Sequence, residues 1–378
     1  MIIEKFFPPG IAMGDAFFNR VKERELVKQC ILNNEHLVLV SPRRYGKTSL
    51  ILKVIEENHF PHCAIDFLPA TNQQYVKNAI LMGVGDVLSM ILPKSGKIKQ
   101  KLLGFFENLN PKIILSALGQ KIELTSQETP SKSIVSALMN LDKIAGELKK
   151  QVVFLMDEFQ QIDSIGGNHE IEASIRHAVE RSKNVAYIFS GSNRHILEQM
   201  FNDKKRPLYH LCNLVKIGRI SREDYLFYLD REAKKKWKKN LPREAMDQIL
   251  LVTERHTFYV SYLCRQLWKL PHPPTSAEVS RVWKEYVNEQ LPWITDDVGK
   301  LSANQRSVLA GISVGPIQEP QGQAFSNRIF LLPASIQRAL DVLVKLNFVY
   351  QDEDGYYHVL DPAIVTYLKS IHLFGFKN

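Results

Sequence analysis

The stretch that decides the fold is His36-Leu37-Val38-Leu39-Val40-Ser41-Pro42-Arg43-Arg44-Tyr45-Gly46-Lys47-Thr48. Leu37 to Val40 is a short continuous apolar run, the pattern of a strand covered on both faces, and Ser49 to Glu57 reads as a helix. Between them the chain follows G-x-x-x-x-G-K-[ST] with one departure, Ser41 at the first glycine position. Such a turn gathers backbone N–H groups at a helix N-terminus, where an anion is favoured. Gly46 permits close approach of the main chain, Lys47 is long enough to reach terminal phosphate oxygens, and Thr48 offers a hydroxyl to a divalent cation. The stretch therefore predicts a P-loop in which Ser41 through Ser49 contact a nucleotide. The competing reading, a solvated basic turn of Arg43, Arg44 and Lys47, does not account for the strand before it and the helix after it.

Outward from this point the strand and helix signals alternate. Phe18 to Asn33 reads as a helix upstream, Cys63 to Leu68 as a second strand, and 70 to 150 as helix-rich sequence with Gly, Pro and polar interruptions. Gln151 to Met156 is a third buried strand, and after a helix near 170 to 182 comes a fourth, Val185 to Ser190. Buried strands alternating with helices imply an α/β fold with a parallel sheet covered on both sides. The third strand ends in Asp157-Glu158, at the same sheet edge as the P-loop. This arrangement resembles a Walker B motif: Asp157 is expected to hold Mg²⁺ together with Thr48, and Glu158 to orient and polarise the attacking water. A helix-capping acid pair is the bland alternative, weakened by the partnering P-loop.

Length and composition bound the rest. A chain of 378 residues exceeds a comfortable single core and predicts two or three domains. With 45% hydrophobic and 24% charged residues it lies far from disordered compositions, and its net charge of +9 suits a polyanionic ligand without requiring one. Cys30, Cys63, Cys212 and Cys264 are widely spaced and show no zinc pattern, so they read as reduced thiols. Glu4 and Pro8-Pro9 interrupt any signal-peptide run and no apolar window has the length of a membrane helix; a cytoplasmic protein is the expectation.

After Ser221 the strands stop. Helices are expected from Ser221 to Trp237, Pro242 to Val252, Phe258 to Trp268 and Ser276 to Gln290. A third unit is expected after Leu291-Pro292: a helix over Ser302 to Ile312, a loop, a helix opening at Pro333 and a hairpin across Phe348 to Val359. Asp354-Gly355 marks that hairpin as a type I′ turn. The outline is a winged helix, and the expected division is 1–219, 220–295 and 296–378.

The run Pro42-Arg43-Arg44-Tyr45-Gly46-Lys47-Thr48-Ser49-Leu50, with Leu155-Met156-Asp157-Glu158-Phe159-Gln160 and Gly191-Ser192-Asn193 downstream, resembles the archaeal-type ATPase group of the STAND and AAA+-related P-loop NTPases. Phe17-Phe18-Asn19-Arg20 with Glu23 and Glu25 resembles, loosely, a further F-x-x-R-x-x-E pattern of that group. The resemblance implies a parallel-sheet ATPase core, a helical lid and a C-terminal winged helix, with ATP and Mg²⁺ as ligands. It implies that Arg20 lies beside the adenine, and that Ser192 or Asn193 contacts the terminal phosphate or the water. His256 or Arg255 would reach the nucleotide from the lid, although the Gly and Pro of the related lid motif are replaced here by Arg255 and Thr257. Another departure follows Arg206-Pro207-Leu208-Tyr209: in the family this resembles, an arginine often stands two residues later, and this chain has Leu211; Arg206 and Arg194 substitute only by proximity.

Three function classes follow: a Mg-dependent ATPase working as a conformational switch, a DNA-binding regulator with ATP as an allosteric ligand, and a non-hydrolysing nucleotide-binding scaffold. From Lys300 onward seven Lys or Arg face six Asp or Glu, so the third unit lacks the cationic footprint of a DNA binder and is expected to dock onto protein or its own core. The run Lys234 to Lys239 reads as a solvated helix end. ATP or ADP, a protein partner or a second copy, and no membrane, are the expected partners.

Overall fold

A computed structural model describes residues 7–372 apart from 94–95, 117–118, 167–168 and 353. It divides into two compact units, Arg20–Gly218, and Met1–Asn19 together with Arg219–Asn378.

The first unit runs α1 (Val21–Leu32), β1 (Leu37–Val40), α2 (Lys47–Asn58), β2 (His62–Asp66), α3 (Gln73–Ile91), α4 (Lys97–Leu103), β3 (Lys112–Ser116), β4 (Gly119–Glu123) and α5 (Pro130–Glu147). It continues through β5 (Val152–Asp157), α6 (Glu170–Val179), β6 (Val185–Gly191), α7 (Arg194–Asn202) and β7 (Asn213–Lys216). Five strands form one all-parallel sheet in the order β2-β5-β6-β1-β7. Alternate residues, Val38 and Val40, Val152, Phe154 and Met156, Val185, Tyr187 and Phe189, share one core with α3, α5 and α6. The intervening Leu37, Leu39, Val153, Leu155, Ala186 and Ile188 are equally buried, which requires cover on the opposite face. This is why these strands read as continuous apolar runs.

Several expectations need correction. The helix-rich stretch 70 to 150 also holds an antiparallel hairpin, β3 with β4, and a fifth strand, β7, pairs with β1 at the sheet edge. The first helix begins at Val21, because Asn19 and Arg20 both take left-handed backbone angles that cannot continue a helix.

The second unit holds α8 (Arg222–Trp237), α9 (Arg243–Val252), α10 (Thr257–Leu267), α11 (Ser276–Gly299), α12 (Ala303–Val314), α13 (Gln323–Ile329), α14 (Pro333–Lys345), β8 (Val349–Gln351), β9 (Tyr357–Val359) and α15 (Pro362–His372). Ser221 caps α8 by accepting the Asp224 N–H, and Thr275 with Glu278 forms a capping box on α11. The N-terminal segment joins this unit: Phe7 packs edge-on against Trp268 (4.9 Å) and Phe18 stacks on Tyr228 (3.7 Å between ring centroids). The helix expected over Ser276 to Gln290 runs further, and α11 continues through Pro292 to Gly299. Thr295 Oγ1 donates to the Leu291 carbonyl (2.7 Å) and so serves a group near the interrupted ladder. The expected loop before Pro333 contains α13, and α15 follows the hairpin. At the hairpin tip Gly355 alone of the Asp-Gly pair is left-handed, and its N–H bonds the Asp352 carbonyl (3.2 Å). The turn is therefore not type I′; Glu353 lies outside the described residues.

Candidate nucleotide site

At the C-terminal edge of the parallel sheet, the loop after β1 bends into α2 through Gly46, whose φ of +89° is left-handed and suits glycine. The first N–H groups of α2 have no carbonyl one turn back, so they are the donors an anion meets. Lys47 is buried, and its Nζ donates to the Ser41 carbonyl (3.0 Å), the Pro42 carbonyl (3.2 Å) and Ser41 Oγ (3.3 Å). Burial pushes its pKa down to about 8, against the pull of Asp157 and Glu158, with Arg43 adding to the depression. Its partners within the loop are neutral oxygens.

Register brings the carboxylates to this point. Met156 lies level with Phe189 across β5 and β6, so the next residues, Asp157 and Ser190, are neighbours. Asp157 Oδ1 accepts from Ser190 Oγ and from the Glu158 N–H (2.9 Å), and Oδ2 accepts from Thr48 Oγ1 (2.6 Å). Glu158 takes left-handed angles (φ 49°), a strained conformation at the strand end that turns the chain into a 3₁₀ segment. Its Oε2 accepts from Ser192 Oγ (2.8 Å) and Gln160 Nε2 (2.5 Å). Arg43 Nε donates to Ser192 Oγ (3.2 Å), which links the P-loop to the end of β6.

Of the expected residues, Lys47, Thr48, Asp157, Glu158, Ser192 and Arg43 thus form one connected cluster. Asn193 does other work: its side-chain oxygen accepts the Ile196 N–H (3.2 Å) and caps α7. Arg20 is buried and donates to the Tyr45 carbonyl (3.1 Å), the Gly218 carbonyl (2.8 Å) and Glu23, bracing the loop through its main chain. Tyr45 and Ser49 are buried, and Arg44 is exposed. Arg206 is taken up by an ion-pair cluster with Glu172 and Asp163 (2.6 Å). His256 belongs to the second unit, buried beside Tyr259 (4.9 Å between ring centroids), while Arg255 donates to the Ile220 carbonyl (3.4 Å). Sequence reasoning missed Ser190 and Gln160. Gln160 stood in the quoted motif, two residues after Glu158, and that spacing was its only signal.

The residues fit a polyphosphate with Mg²⁺. A buried ammonium beside helix N-terminal amides suits a polyphosphate, and a hydroxyl joined to a carboxylate is a hard-oxygen pair suited to Mg²⁺. Fold and site together define a P-loop type of architecture: an all-parallel sheet with a phosphate-loop motif at its C-terminal edge, followed in the chain by a helical region and a C-terminal winged helix. Residues 296–370 match the family model described as a probable winged helix domain. The whole chain is similar in structure to the Walker-type ATPase of Pyrococcus abyssi (TM-score 0.69, 16% identity, 97% of this chain and 99% of that one). It is also similar to the ORC2 protein of Aeropyrum pernix in its ADPNP–ADP complexes (TM-score 0.58, 13% identity, 98% of each chain). At these identities the likeness is one of fold. No curated protein sequence matches the chain. Among the described residues no helix is long and apolar enough to cross a membrane.

Proposed function

We propose that this chain binds ATP with Mg²⁺, hydrolyses it, and works as a nucleotide-driven conformational switch. The observation that carries the reading is the Thr48 Oγ1 to Asp157 Oδ2 hydrogen bond of 2.6 Å, which joins the phosphate loop to the acidic strand end. In this reading the amides of 42 to 48 and the Lys47 ammonium hold the phosphates, and Thr48 and Asp157 hold the metal. Bound Mg²⁺ supplies charge neutralisation on the phosphate oxygens. Glu158, its Oε2 fixed by Ser192 and Gln160, orients water and accepts its proton. The terminal phosphate is the contact that differs between ATP and ADP, so it alone biases the switch. The switch works across three parts in this proposal: a core to 219, a lid over 220–295 and a winged helix from 296.

Lys47→Ala is expected to abolish nucleotide binding, whereas Glu158→Gln permits binding and arrests turnover. Two variants that hydrolyse ATP like the parent would refute the assignment.

The winged helix is proposed to meet protein. Phe330 and Leu332 at the turn before α14 are 84% and 75% exposed, and Asp341 on α14 accepts from Gln337. Asp352 at the wing pairs with His358 (2.7 Å). Exposed apolar side chains and acids where phosphates would lie disfavour a DNA-binding regulator. Binding to arbitrary duplex that weakens steeply with salt would restore that alternative.

A further inference from the structure

Phosphoryl transfer spreads negative charge over the oxygens of the transferred group, and a guanidinium against them contributes about 10³–10⁵ in rate. Three other arginines of the core are engaged in the fold. Arg20 is spent on Tyr45, Gly218 and Glu23, Arg176 on the Pro207 and Tyr209 carbonyls, and Arg206 on Glu172 and Asp163.

Arg43 differs. It is exposed, held at its inner nitrogen by the bond from Nε to Ser192 Oγ (3.2 Å), and among the described residues its two terminal nitrogens have no hydrogen-bond partner. Ser192 has a single hydroxyl proton and donates it to Glu158 Oε2 (2.8 Å), so Arg43 and Glu158 share one anchor. Arg43 also lies close enough to Lys47 for its charge to oppose that of the ammonium. Its main chain belongs to the phosphate loop itself.

We infer that Arg43 is a catalytic arginine supplied in cis: Nη1 and Nη2 engage the terminal phosphoryl oxygens of the nucleotide on the same chain, while Nε keeps the Ser192 hydroxyl turned to Glu158. The inference rests on the ATPase reading above. In the step it serves, the water oxygen bonds to the terminal phosphorus and Glu158 takes the water's proton. The bond from phosphorus to the bridging oxygen breaks, leaving its electron pair on ADP. Arg43 transfers no proton; it neutralises charge through a two-pronged donor set that a lysine lacks. Because the group comes from the same loop that binds the phosphates, turnover needs no second copy.

The test combines three measurements on Arg43→Ala: ADP affinity by calorimetry, retention of ADP with Mg²⁺ and aluminium fluoride as a transition-state mimic, and single-turnover ATP hydrolysis. The expected result is ADP affinity within about threefold of the parent, loss of aluminium-fluoride retention, and hydrolysis slowed by about 10³. Arg43→Lys, with a point charge in place of the fork, is expected between the two. Mixing Arg43→Ala with Lys47→Ala restores nothing if the arginine acts in cis. Restored activity would assign it to a neighbouring chain and overturn the inference. So would a variant that retains ADP–aluminium fluoride like the parent, or one that loses ADP affinity and thermal stability together. A parent that neither binds nor hydrolyses ATP removes the ATPase reading and this inference with it; a parent that hydrolyses alongside an unaffected Arg43→Ala removes the inference alone.

Discussion

Nucleotide affinity should fall as pH rises through the titration of Lys47. Burial holds this ammonium at a pKa of about 8 in the free chain, with Asp157 and Glu158 pulling the other way. Only the protonated form pairs with phosphate, and bound phosphate keeps it protonated. Binding therefore takes up a proton above pH 8 and takes up almost none well below it, so affinity declines as pH rises. From pH 7.5 to 9.5 the charged fraction of a group titrating at 8 falls from about 0.76 to about 0.03, a factor of about 25, or about 2 kcal/mol. Calorimetric titration with Mg²⁺ and ADP at both pH values reads the change directly, and repeating it in buffers of different ionisation enthalpy reads the proton uptake. Lys47→Arg stays charged throughout and should lose the slope. A parent affinity that moves less than threefold, or a Lys47→Arg variant that tracks the parent, would refute the placement of this ammonium at the phosphates.

Three further outcomes follow from packing. In Gly191→Ala the new Cβ would stand 1.9 Å from Gln160 Oε1, so Gln160 must leave Glu158; urea unfolding should show a loss of about 1–3 kcal/mol alongside reduced turnover. Glu172→Ala leaves the Arg206 guanidinium, only 9% exposed, without its most buried partner, and should cost about 3–5 kcal/mol in the same measurement with ADP affinity unchanged. Tyr259→Phe removes the 2.6 Å hydrogen bond to Asp361 in the helical unit and should destabilise by about 1.5–3 kcal/mol, with hydrolysis rate unaltered.

The central strands were legible because both of their faces are covered. Leu37 to Val40 and Val152 to Met156 contain no polar residue, and such runs stand out against their surroundings. β7 failed the same test: it is a four-residue edge strand, Asn213-Leu214-Val215-Lys216, with exposed ends and no apolar run to detect. The β3–β4 hairpin leaves Lys112, Ile113 and Ile114 exposed and packs on α3, so its signal merged with the helical pattern around it. Proline misled at 292, since a proline in an apolar helix reads as a stop. The Thr48–Asp157 pairing followed from residue type and the rule that parallel strands carry sites at their C-terminal edge. Ser190 was invisible because serine is common, and only the β5–β6 register makes this one a neighbour of Asp157. Asn193 and Ser192 were interchangeable on paper; the start of α7 separates them, because it needs a cap at Asn193 and leaves Ser192 for Glu158.

The serine at the first glycine position was the one formal defect in the motif, and backbone geometry explains why the loop forms regardless. A glycine is required only where φ is positive or the main chain of a neighbour comes close. Ser41 is not among the left-handed residues, whereas Gly46 is, at φ +89°. Position 41 therefore accepts a side chain, and position 46 has kept its glycine. The added hydroxyl faces inward: Ser41 is fully buried, donates to the Pro42 carbonyl (3.1 Å) and lies 3.3 Å from Lys47 Nζ. It gives the ammonium an oxygen that glycine could not, at a site where burial has already depressed its pKa. The substitution thus falls at a position whose backbone does not require glycine, and it sets a hydroxyl oxygen beside the ammonium proposed to meet phosphate.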